Sequence, residues 1–179
     1  MKNLSFNMAL SGILGAVCIV LMFMVALLPI FIYVLTMVCG LILYTVYYEC
    51  GVKYAMSCYV SVSVLSLLLC PDKESGLLFL AFFGYYPILK IYIDKLKLRL
   101  LKLIIRLAIF NTAIVAAYWV LIKLFKIVSI SDFTGDAAEA VIWLFLIAAN
   151  VVFIIYDFAL KNMALVYQYR IRKIFFRRK

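Results

Sequence analysis

Apolar residues run along this chain in six long blocks, each closed by a short polar or proline-containing break. The first covers about 8–28 and stops at Pro29. The second covers about 30–48 and closes with Glu49-Cys50-Gly51-Val52-Lys53, and the third covers about 54–70, before Pro71-Asp72-Lys73-Glu74. The last three cover about 75–93, 107–125 and 139–160. Each block approaches the roughly 20 apolar residues that a helix needs to cross a bilayer core. None shows the strict alternation of a barrel strand, and backbone groups in lipid must be paired within one helix or within a closed barrel. The pattern predicts an all-α polytopic membrane protein, a bundle of six transmembrane helices forming a single domain over 1–179. The first block is long for a signal-peptide core, and no small-x-small cleavage site follows it, so it is read as a retained span. Because Pro29 alone separates the first two spans, they form either a tight hairpin or a shifted pair.

Composition agrees. Hydrophobic residues make up 69% of the 179, with a mean hydropathy of +1.18, against roughly 45–50% apolar residues in a soluble domain. A chain this small cannot hide such an excess in a core, so lipid must be the solvent for most of its surface.

The net charge of +10 has a topological reading. If the N-terminus is cytoplasmic, only Lys73, Lys123 and Lys126 of the 18 cations fall outside, and 15 fall inside. Asp72, Glu74, Asp132, Asp136 and Glu139 fall outside. The positive-inside rule then places both termini in the cytoplasm and fixes an even number of spans. It also accounts for the charge through contact with anionic lipid, leaving no role for nucleic acid. The expected location is a bacterial plasma membrane. Two cytoplasmic segments concentrate the cations: 94–106, within a stretch from Lys90 to Arg106 that reads as an amphipathic surface helix, and the tail 161–179, where Tyr167, Tyr169, Phe175 and Phe176 lie among lysines and arginines. Tyr44, Tyr47, Tyr48 and Tyr54 fit an interfacial belt.

Candidate chemistry is sparse. There is no histidine, no GxSxG or HExxH pattern and no P-loop, so no catalytic residue, metal site or cofactor is expected and the chain does not read as an enzyme. The five cysteines form no CxxC pair and read as buried small hydrophobes. Asp94 and Asp157 read as interfacial ion-pairing groups. Polar residues inside spans are the better lead, since lipid penalises them unless they face protein or a water-filled cavity. Ser57, Ser61, Ser63 and Ser66 lie in the third span, Asn111 and Thr112 in the fifth, and Asn150 near the middle of the sixth. They serve either helix–helix hydrogen bonding or a substrate cavity. In the fourth span, Gly84 and Pro87 predict a kink, with Phe82 and Tyr85 beside it. The first span carries a small-residue face, Ser11, Gly12, Gly15 and Ala16, of the kind that lets helices approach closely.

Six short spans with both termini inside, and a small-residue face on a first helix that begins Met8-Ala9-Leu10, resemble the S component of energy-coupling factor vitamin transporters. The stretch Phe82–Lys90 is similar to one in small uncharacterised membrane proteins of anaerobic Gram-positive bacteria. The resemblance implies a six-helix subunit that binds a vitamin-like solute or metal ion from outside and docks on a separate membrane coupling protein driven by two ATPases. In that family an alanine-x-x-x-alanine pattern on the first helix faces the coupling protein; the matching positions here are Gly12 and Ala16, with Ala9 one turn earlier. On this reading Ser63, Ser66, Phe82, Tyr85 and Asn150 line the solute cavity, and Ala9, Gly12, Gly15 and Ala16 meet the partner. The alternative is a non-catalytic membrane scaffold or envelope-associated interaction protein, with a filled interior and the basic segments as its working surface.

Overall fold

The computed structural model describes residues 4–96, 98–120 and 136–166. Three expectations therefore lie outside the described residues: the end of the fifth span beyond 120, the polar loop before 136, and the tail from 167. Each apolar block, as far as it is described, is helical, and there is no strand among the described residues. The helices are α1 (Leu4–Leu27), α2 (Ile32–Cys50), α3 (Val52–Leu69), α4 (Lys73–Leu78), α5 (Tyr86–Ile93), α6 (Arg99–Val120) and α7 (Asp136–Val166). A π-helical turn, Phe79–Phe83, follows α4 and is separated from α5 by Gly84 and Tyr85. Among the described residues, six helical stretches are long and apolar enough to cross a membrane, with α4 to α5 counting as one. The chain divides into two compact units, Met1–Leu103 and Ile104–Lys179.

In the first unit the breaks seen in sequence become tight turns. Pro29–Phe31 forms one 3₁₀ turn, and the Phe31 N–H returns to the Leu28 carbonyl at 3.0 Å. α1 and α2 pack against each other across it, so the first two spans are a hairpin. Gly51 alone joins α2 to α3, at φ +92° and ψ 177°, a conformation essentially restricted to glycine. Asp72 caps α4, accepting from the Ser75 N–H at 3.0 Å. Lys73 folds back and donates to the carbonyls of Leu67 (2.8 Å) and Cys70 (2.9 Å), satisfying the end of α3.

Close packing comes from small groups. Cys18 of α1 and Cys39 of α2 are fully buried, and each thiol donates to the other's carbonyl, at 3.8 and 3.5 Å. Cys58 and Cys50 donate to the α1 carbonyls of Ser11 (3.5 Å) and Asn7 (3.6 Å). These are weak donors, but they seat α2 and α3 directly on the α1 backbone. All five cysteines are free thiols. At the end of the unit that holds the α2–α3 turn, Val46, Ala55 and Ile88 form a buried cluster joined by Leu14, Tyr47, Cys50 and Tyr54.

The stretch read as one amphipathic helix from Lys90 to Arg106 is divided. Lys90 belongs to α5, residues 94, 95, 96 and 98 are non-helical, and Arg99–Arg106 is the first part of α6. Leu100, Leu101, Leu103, Ile104 and Ile105 lead directly into the fifth apolar block, so the helix has no reason to break at 106.

In the second unit α6 and α7 run antiparallel, joined by a ladder of matched pairs. Arg106 binds Asp157 at 2.7 Å. Phe110 stacks on Phe153, with ring centres 4.6 Å apart and an interplanar angle of 14°. Asn111 and Asn150 exchange two amide hydrogen bonds, each 3.1 Å. Each amide also donates to its own helix, to Leu107 O (2.9 Å) or Leu146 O (2.8 Å). The outward face of α7 is apolar and exposed, with Ile147, Val151, Ile154, Ile155 and Phe158.

Asn150→Leu should lower stability by about 1 kcal/mol, the usual scale for such interhelical bonds, because it strands the Asn111 amide. Asn111→Leu/Asn150→Leu together should recover most of that loss in a double-mutant cycle of detergent unfolding. Strictly additive losses would contradict the pairing.

Candidate functional site

Four of the five residues expected at a solute cavity lie along the contact between α3 and the bent fourth span. The bend begins where the Gly84 N–H reaches past the α-helical register to Phe79 O, at 2.8 Å. Leu80, whose carbonyl would face that N–H in an α-helix, instead accepts from the hydroxyl of Tyr59 on α3, at 2.8 Å. Pro87 opens α5 in the first turn, where its missing N–H is no loss. Gly84 is required by proximity: a Cβ there would come 2.5–2.6 Å from the Tyr59 ring and 2.9 Å from Phe79 O.

Tyr59 organises the aromatic groups around the bend. Its ring meets Phe79 at 6.1 Å and Tyr85 edge-on at 6.3 Å. Phe82 is fully buried and stacks on Tyr86 at 4.5 Å; Tyr85 is half-buried. On α3, Ser63 and Ser66 are buried, and Ser66 donates to Ser63 O at 3.0 Å, within its own helix. Ser66 Oγ also packs against Gly76, 3.3 Å from where a Cβ would stand. Asn150 belongs to the second unit, where its oxygen and both its amide hydrogens are engaged with Asn111 and Leu146.

The small-residue face of α1 divides between two directions. Gly15 points inward, with room for only 3.0 Å between an added Cβ and Cys58 Sγ. Ala9, Gly12 and Ala16 lie on the exposed side, and nothing stands within 4 Å of a Cβ added at Gly12.

Two residues with charged side chains are buried in the first unit where sequence reading placed only boundaries. Glu49 is 4% exposed and Lys90 is 2% exposed. Both are engaged in polar or electrostatic contacts. Ile88 in the cluster with Val46 places α5 and the last turns of α2 together, so both charges lie toward the same end of the unit. Two phenols lie near them on α2, Tyr44 and Tyr48, whose hydroxyls are 3.2 Å apart. Helical period carried the signal. Thr36, Cys39, Leu43 and Val46 form the buried stripe of α2, and Glu49 is its next member; Tyr86, Lys90 and Ile93 share the buried face of α5.

No group of three or more metal-ligating side chains occurs among the described residues. No family model, curated protein or solved structure matches this chain.

The close approach of Tyr59 to Gly84 makes a coupled prediction. Gly84→Ala should cost about 1–3 kcal/mol through overpacking when Tyr59 is present, and much less in a Tyr59→Ala background. Thermal unfolding of the four proteins in detergent measures the coupling; equal losses in both backgrounds would contradict it.

Proposed function

We propose that the chain is the solute-binding subunit of a transport system in a bacterial plasma membrane, with both termini cytoplasmic, energised by a separate membrane partner. The observation that carries this reading is the burial of Glu49 and Lys90 inside the first unit. Enclosing a charge costs several kcal/mol even after relaxation, and ionisable groups within transmembrane bundles mark solute or ion sites by default. The bent fourth span, with its buried aromatic groups, supplies adjoining apolar walls. Ala9, Gly12 and Ala16, exposed on α1, are the surface on which a partner helix would pack, as the resemblance to S components implies. Energy would come from that partner, since the chain has no P-loop.

A non-catalytic scaffold is the second reading. It is favoured by two features that fill space rather than open it: Tyr59 seated against Gly84 and the reciprocal Asn111–Asn150 pair.

Native mass spectrometry of the protein purified from its own membrane separates the two. The transport reading expects a small polar molecule retained at near one per chain. A dry chain carrying only a polypeptide partner would sink it.

A further inference from the structure

The junction between α5 and α6 carries a surface that helix packing does not account for. Leu96, Leu98, Leu100, Leu101 and Leu103 are all exposed, Leu98 by 66% and Leu100 by 77%. Exposed leucines are ordinary where a helix faces lipid; what sets this stretch apart is the positive charge among them. Cations are interleaved with these leucines, and two are held in place. Lys95 lies over the Tyr92 ring, 5.1 Å from its centre. Lys102 Nζ donates to Asp94 O at 2.7 Å, tying the start of α6 to the turn. Lys97 and Arg99 add two further positive charges in the sequence. The first turn of α6 contains no acid, and cations at the start of a helix oppose its macrodipole, so an anionic neighbour would relieve both.

We propose that the Tyr92–Leu103 surface binds an anionic phospholipid, with the headgroup phosphate on Lys95 and Lys102 and the acyl chains along Leu98, Leu100 and Leu101. Charge complementarity selects the occupant. Leu100, Leu101 and Leu103 belong to a helical stretch long enough to cross a bilayer, so the cations stand where an apolar span meets headgroups. Interleaved leucine and lysine suit that boundary, where apolar groups enter the acyl region and charges stay among phosphates. The site is independent of whether the first unit binds a solute.

The test uses the full chain in detergent micelles containing equal phosphatidylglycerol and phosphatidylcholine, with retained lipid counted by native mass spectrometry. Wild-type protein should retain phosphatidylglycerol preferentially. Lys95→Gln/Lys102→Gln should weaken that retention about 25-fold, roughly fivefold for each cation near an anionic headgroup. Lys95→Arg/Lys102→Arg should preserve it, with circular dichroism unchanged in both variants. Lys161→Gln, an exposed cation on α7, should retain the lipid as wild type does. Unchanged retention in the double Gln variant would overturn the proposal, as would an equal loss in Lys161→Gln. So would a co-purifying polypeptide, in place of lipid, that is lost from the double Gln variant.

Discussion

A polar group enclosed by apolar side chains has no water to fall back on, and the rest of this structure follows from how each such group is satisfied. The helices settle their own backbones, and most of the exceptions are met one by one, with the buried Ser63 Oγ and Asn7 Oδ1 left without a hydrogen-bond partner. Lys73 closes the end of α3, Asp72 the start of α4, and Tyr59 takes up the carbonyl displaced by the π turn. Asn111 and Asn150 satisfy each other, and Arg106 satisfies Asp157. Among long apolar helices, these contacts add directional constraints to the close packing of small residues that brings the helices together.

The same constraint makes Glu49 and Lys90 informative. A chain with this much apolar surface could have placed both outside its packed interior, as it does with the exposed Lys95 and Lys161. Glu49 and Lys90 each have an interaction partner within the fold, which offsets part of the desolvation cost of burial, and the proposed solute would offset more of it.

Much of the architecture was legible in the sequence because lipid simplifies the code: length and apolarity locate helices without reference to partners. The six long apolar helices could be read that way, and the bend near Gly84 from the glycine and proline beside it. The rest depends on pairing across helices, which a one-dimensional pattern does not specify. Asn150 was conspicuous in isolation, and only its opposition to Asn111 shows how its amide is used. The small residues of α1 formed one face in sequence, yet Gly15 turns toward Cys58 while Gly12 turns outward, since at 3.6 residues per turn two positions three apart are offset by about 60° around the helix axis. Glu49 and Lys90 were overlooked for a different reason. Charge drew them into boundary regions, although their spacing continues the buried stripes of α2 and α5.

The most direct measurement compares stability with solute retention in Glu49→Gln/Lys90→Met. If the charges serve a bound solute, neutralising both removes their desolvation penalty; thermal unfolding should stay within a few degrees of wild type, or rise, while the retained small molecule is lost. If the charges serve only the fold, no small molecule should be retained by either protein, whatever the double replacement does to stability. That second result would contradict the account.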